Sequence, residues 1–105
     1  MRWYVLVFLE KGAKWTPEVT AESKKLQEGH MANINRLGKE KKLLLAGPVA
    51  DGGDLRGIFV FDTESLEEAK SWCDADPAVQ AERLRCRMVR WFSVKGVGVH
   101  EEKAR

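Results

Sequence analysis

A chain of 105 residues supports one domain whose core can hold together without disulfides or a structural metal. Hydrophobic residues make up 44% and charged residues 32%, a balance that excludes intrinsic disorder. Lysine and arginine total 18 against 16 acidic residues, a net charge of +2, too small a surplus for a nucleic-acid surface.

The first element reads from the density of β-branched and aromatic residues in RWYVLVFLE (2–10), which marks a strand. Trp3, Val5, Val7 and Leu9 fall on one face, Tyr4, Leu6 and Phe8 on the other, so both faces are apolar and the strand is buried on both sides. The run from Trp3 to Leu9 is too short to span a bilayer and lacks a small-residue cleavage site, so no membrane association is expected.

After the Lys11–Gly12 break, Thr16 is placed to cap a helix with Pro17 in its first turn. Val19, Leu26, His30, Ile34 and Leu37 then recur at helical spacing, with Ser23 bridging the first gap, and Gly38 is the expected C-cap. KLLLAGPV (42–49) is a second strand, ended by Gly47–Pro48. ADGGDLRG is a turn-rich link, in which Gly52–Gly53 makes a turn. GIFVFDT (57–63) is a third strand, again apolar on both faces.

Ser65 and Glu68 have the spacing of a capping box at the start of a second helix carrying Leu66, Ala69, Trp72 and Cys73. Asp76 precedes Pro77, a junction that breaks the helix, and a short helix through Ala81 follows. LRCRMVRWFSV (84–94) is a fourth strand whose interspersed arginines suit a sheet edge. The domain ends near residue 95, and residues 96–105 are a polar tail.

The order βαββαβ is that of the ferredoxin-like α+β fold, a four-stranded antiparallel sheet with two helices on one face. Its central strands are the first and third, the two that are apolar on both faces. Two helices cover one face only, leaving Phe8, Phe59 or Phe61 and their neighbours on the other. An apolar face of that size predicts a homodimer formed through the open sheet face.

The chemistry-bearing residues are few. His30 lies on the inward stripe, where two readings stand. It is either a core histidine tied to a backbone carbonyl or an acid–base group tuned by a neighbouring carboxylate. Asp76 likewise reads as the N-cap of the helix that follows or as that carboxylate, with Asp51, Asp54 and Asp62 as weaker competitors. Ser23 and Ser65 are the serines that a triad would use, although no nucleophile elbow is present. Two histidines, one of them His100 in the tail, give no metal-ligand spacing, so no metal is expected. The glycine-rich link has neither GK[ST] nor GxGxxG, and no cofactor is implied. Arg83, Arg85, Arg87 and Arg90 form either a solvated edge or an anion-binding one. Trp15 and Trp91 pack in a core or interface, or line an apolar pocket. Cys73 and Cys86, too few for a disulfide framework, read as free thiols in a reducing cytoplasm.

The ordered set KWTPE, LQEGHMANINRL, KLLLAGPVADGGDLRGIFVFD, SLEEAK, DADPAV and the late RW resembles the YciI-like (YCII-related) proteins across roughly residues 2 to 95. That resemblance implies a ferredoxin-like fold that dimerises into an α+β barrel. It also implies a histidine in the first helix and an aspartate in the "DP" element acting as a pair, here His30 and Asp76. A few members of this family, whose function is mostly unassigned, carry out proton-transfer chemistry on small cyclic or aromatic substrates, such as dehydrochlorination. The chain departs from a common family form in having Glu28–Gly29 before the histidine, where Pro–Ala is frequent.

The expected function is therefore proton transfer by His30 and Asp76, leading to elimination or isomerisation of a small-molecule ligand. That ligand would be held in a pocket between sheet and helices, near Gly47 and Pro48, where backbone approaches closely. The alternative is a non-catalytic dimeric binding or accessory domain.

Overall fold

Strand β1 (Arg2–Lys11) lies at the middle of the structure because both of its faces are apolar. It is followed by α1 (Ala21–Lys39), β2 (Leu43–Pro48), β3 (Leu55–Phe61), α2 (Leu66–Asp74), α3 (Pro77–Gln80) and β4 (Leu84–Ser93). This computed structural model describes residues 1–94; the expected tail from residue 96, with His100, lies outside them. The strands form one antiparallel sheet in the order β2-β3-β1-β4, as the ferredoxin-like reading requires, with β1 and β3 central and β4 at an edge. Among the described residues no helix is long and apolar enough to cross a membrane.

Alternation along the strands sorts the core. Val5, Val7 and Leu9 of β1 and Phe59 and Phe61 of β3 face the helices, where they meet Leu37, Ala69 and Cys73. Tyr4 and Val60 face the other way, with Leu6 and Leu44 against them. Phe59 and Phe61 therefore belong to the helix-covered core and not to the open face. Phe61 pairs with Val5 and Phe59 with Val7, and cross-strand partners share a face. Ile58 and Val60, opposite Phe8 and Leu6, are the β3 residues on the open side. A fully buried side chain of this kind contributes about 1.5–3 kcal/mol, against about 0–1 for an exposed ion pair. The helix-side core is therefore what holds the layers together.

The start of α1 differs from the expectation at Thr16. Thr20 is the N-cap: its Oγ1 accepts the Ser23 N–H at 3.0 Å, and Ser23 Oγ accepts the Thr20 N–H at 2.8 Å. This reciprocal pair outcompetes Thr16, whose hydroxyl accepts instead from Arg83 Nη1 at 3.2 Å. Val19 consequently precedes the helix and is 76% exposed, off the stripe that sequence spacing gave it. At the other end the helix runs past Gly38. Glu40 is the C-cap, and Lys41 takes the left-handed conformation at φ 63° while the Lys42 N–H donates to the Leu37 carbonyl at 3.0 Å.

Ser65 caps α2 as expected, accepting the Glu68 N–H at 3.0 Å. The box is completed differently. Thr63, itself buried, accepts the Ser65 N–H at 3.1 Å and donates its hydroxyl to Glu68. The expected turn is present, with Gly53 at φ 63°, a conformation that glycine adopts without steric cost.

Candidate active site

His30 sits in the middle of α1 on its buried side, with Leu37 two turns on. Its ring lies 6.2 Å from that of Phe59, tilted by 19°, so the central strand β3 supplies its floor. Asp76 comes from the junction of α2 and α3. The proline that follows holds it in extended geometry, φ −78° and ψ 122°, which turns its carboxylate back toward α1. There His30 Nδ1 hydrogen-bonds Asp76 Oδ2. The Asp76 side chain is 1% exposed and that of His30 10%.

Both sequence readings of Asp76 hold together, because a carboxylate has two oxygens. Oδ1 accepts the Ala78 N–H at 2.8 Å and caps α3, while Oδ2 takes the imidazole. His30 is accordingly not tied to a backbone carbonyl. Donation from Nδ1 to a fixed carboxylate selects the tautomer whose Nε2 carries the lone pair. Nε2 has no hydrogen bond among the described residues, and the ring lines an open cavity.

Gly29 makes this meeting possible. A Cβ there would stand 2.8 Å from Cγ and 3.2 Å from Cβ of Pro77, inside ordinary van der Waals contact. The missing side chain lets α1 close onto the first residue of α3, one position from each member of the pair.

The cavity has a volume of about 540 Å³, the size of many small-molecule sites. His30 and Phe59 form its inner wall, and Gly47 and Pro48 of β2 line it as well. Trp15, Arg56 and Arg83 complete the side toward the start of the chain's first loop. Trp15 thus lines a pocket, whereas Trp91 lies on the open sheet face, 6.4 Å from the Tyr4 ring.

The four arginines of the β4 region do not make one anion-binding edge. Arg85 and Arg87 pair with Glu10 at 3.3 and 3.1 Å, Arg90 lies over Trp3, and only Arg83 reaches the cavity. Glu10 is held below the usual carboxylate range by its hydrogen bond from Arg87, and further by Arg85, against an opposing desolvation effect. The competitors for the His30 partner fall away too. Asp62 pairs with Arg2 at 2.8 Å, and neither it nor Asp51 or Asp54 lines the cavity. The hydroxyls of Ser23 and Ser65 are both used in capping, so among the described residues neither completes a Ser–His–Asp triad.

Arg56 is a lining residue that strand alternation hides. Leu9 pairs with Gly57 and Glu10 with Leu55, so Arg56 is an extra residue opposite one step of β1. Such a bulge re-aims its side chain, here away from the face of Ile58 and into the cavity. Cys73 and Cys86 are free and close to one another. Contact with the Cys73 thiol and burial push the Cys86 thiol well up.

The YCII-related domain model matches residues 3–93. The uncharacterized protein YjpA of Bacillus subtilis is 35% identical over 63 residues, covering 60% of this chain and 72% of its own. The protein YciI of Escherichia coli is 36% identical over 64 residues, covering 53% of this chain and 65%, just under two thirds, of YciI. Among solved structures, 5-chloro-2-hydroxyhydroquinone dehydrochlorinase (TftG) of Burkholderia phenoliruptrix, in complex with 2,5-dihydroxybenzoquinone, aligns with a TM-score of 0.61. That alignment covers 87% of this chain and 96% of the dehydrochlorinase at 21% identity, a likeness of fold.

Proposed function

The chain belongs to the YCII-related family, and we propose that it is a small cytoplasmic enzyme that moves a proton on a cyclic or aromatic metabolite. The observation that carries this reading is the buried His30–Asp76 pair set into the wall of a cavity. A histidine with only a packing role needs no open space beside it.

In this mechanism Nε2 of neutral His30 accepts a proton from a ring carbon or hydroxyl of the substrate. Asp76 stabilises the imidazolium that forms and keeps the ring from rotating. Return of the proton to a different substrate atom gives isomerisation; departure of a leaving group from the adjacent carbon gives elimination. Phe59 holds the imidazole plane, and Gly47 and Pro48 offer the substrate a surface without bulky side chains. The dehydrochlorinase activity of the structural neighbour supports the elimination branch.

The protein acts as a homodimer joined through the open sheet face. Val89 and Trp91 there are 39% and 37% exposed beside the partly buried Leu6 and Phe8, an apolar patch of the kind interfaces cover, bordered by Arg87 over the Phe8 ring and its pair with Glu10. The two unbonded thiols fit a reducing cytoplasm.

A thermal-shift screen of cyclic and aromatic metabolites, beginning with 2,5-dihydroxybenzoquinone, tests the reading. Hits are then followed for turnover in wild type, His30→Gln and Asp76→Asn. Turnover that survives both substitutions refutes the acid–base role.

A further inference from the structure

Three cations surround one indole at the cavity. Lys11 Nζ lies 4.2 Å from the Trp15 ring centroid, and the Cζ atoms of Arg56 and Arg83 each lie 5.8 Å from it. Among the described residues none of the three forms an ion pair with a carboxylate, whereas Arg2, Arg36, Arg85 and Arg87 all do. None of the described residues that line the cavity is acidic. Among the described residues each arginine side chain is braced by a single hydrogen bond, Arg56 Nη1 to the Gly53 carbonyl at 3.3 Å and Arg83 Nη1 to Thr16 Oγ1 at 3.2 Å. The remaining N–H donors of both forks are left for something else.

Packing does not account for this arrangement. One guanidinium is enough to stack on an indole, and gathering like charges at one ring raises the energy of the empty site. The bulge at Arg56 breaks strand alternation to bring in the second guanidinium. A bound anion relieves the repulsion, and paired arginines suit a planar oxyanion that accepts from both. We propose that Arg56 and Arg83, flanking Trp15, form an anion subsite in the His30 cavity, so that the ligand is a planar ring bearing an oxyanion such as a ring carboxylate. This inference rests on the cavity being the substrate site as read above, with Trp15 and Phe59 offering faces to the ring and the arginines binding its charge.

Benzoate and its neutral counterpart benzamide separate charge from shape. Calorimetric or NMR titration of the wild-type protein is expected to show benzoate binding at least about ten-fold tighter than benzamide, with the Trp15 indole N–H resonance responding. Arg56→Gln and Arg83→Gln, checked for unchanged melting, each weaken benzoate about ten-fold, the size of a lost hydrogen bond to a charged group. Equal binding of the two probes, absence of benzoate binding, or indifference to both arginine substitutions overturns the subsite. Those results leave the acid–base reading standing, since it is judged by turnover in His30→Gln and Asp76→Asn. Arginine-dependent benzoate binding with turnover unaffected by those two variants would keep the subsite and remove the acid–base reading.

Discussion

A single methyl group at Gly29 tests whether the approach of α1 to α3 is built for the His30–Asp76 pair. In an exposed helix interior, glycine to alanine stabilises by about 1 kcal/mol. Here the new Cβ would lie 2.8 Å from Pro77 Cγ, where ordinary contact begins at 3.4 Å. Relief therefore needs 0.6 Å of movement (3.4 − 2.8). The Pro77 ring cannot rotate away, because it opens α3 immediately after the capping residue Asp76. The helices must part instead, and the His30–Asp76 hydrogen bond spans the same gap. Overpacking of this kind costs about 1–3 kcal/mol, so the expected net effect is a loss of about 0–2 kcal/mol, not a gain.

Urea denaturation followed by tryptophan fluorescence reads the stability, and the proton resonance of His30 Nδ1–H reads the pair directly. Gly29→Ala should lower or leave unchanged the unfolding free energy and broaden or displace that resonance. Adding Pro77→Ala removes the Cγ that makes the 2.8 Å contact and leaves only the milder 3.2 Å approach of its Cβ, so the double variant should be more stable than the sum of the single effects predicts. A Gly29→Ala protein that gains about 1 kcal/mol with the His30 resonance unmoved would refute the close-approach argument.

Four further outcomes can be checked. Asp76→Asn keeps an oxygen to cap α3 but presents an amide donor to Nδ1, forcing the proton to Nε2; it should fold and lose turnover by about 100-fold or more, measured on the first substrate found. The proposed dimer through the open sheet face predicts that wild type sediments as a dimer and Val89→Glu as a monomer; a monomeric wild type, or a variant of unchanged dimeric mass, refutes that interface. Cys86, its thiol pushed up by Cys73 and burial, should resist iodoacetamide in the native state near pH 8 and react once unfolded; rapid native labelling at Cys86 contradicts this. Glu10 has its folded pKa depressed below 4.5 by Arg87, so its contribution to stability is present above that value and lost as the pH falls through the depressed one. The melting-temperature gap between wild type and Glu10→Gln should therefore close on acidification from about pH 5, and a gap that stays constant shows that the pairing contributes nothing.

The fold was legible because its central claim is carried by hydrophobic alternation. β1 and β3 are apolar on both faces, and only central strands can bury both. What failed was local competition that composition does not rank. Thr16 and Thr20 both have the residue type of an N-cap, and the choice fell to Thr20 because Ser23 reciprocates its bond while Arg83 engages Thr16. Phe59 and Phe61 were equally suited to either side of β3. Their side was decided by pairing with Val5 and Val7, a long-range fact with no signature in a single strand.

The site shows the same division more sharply. Helical spacing was enough to turn His30 inward, and the Asp–Pro step was enough to place Asp76 at a helix start. Neither could reveal that the two uses of Asp76 are compatible, since capping and partnering look like rivals until each oxygen is assigned. Once they are assigned, the cap becomes part of what positions the pair. The Ala78 N–H fixes Oδ1, which leaves Oδ2 one direction to face, and the gap left by Gly29 puts His30 in that direction. Arg56 was hidden for the related reason that alternation predicts its side of the sheet and the bulge reverses it. In both places the informative residue breaks a local rule: a glycine inside a helix and an arginine out of phase in a strand. Each departure brings a functional group to the same cavity, which is why their substitutions, rather than those of the apolar core, discriminate between a site and a coincidence of packing.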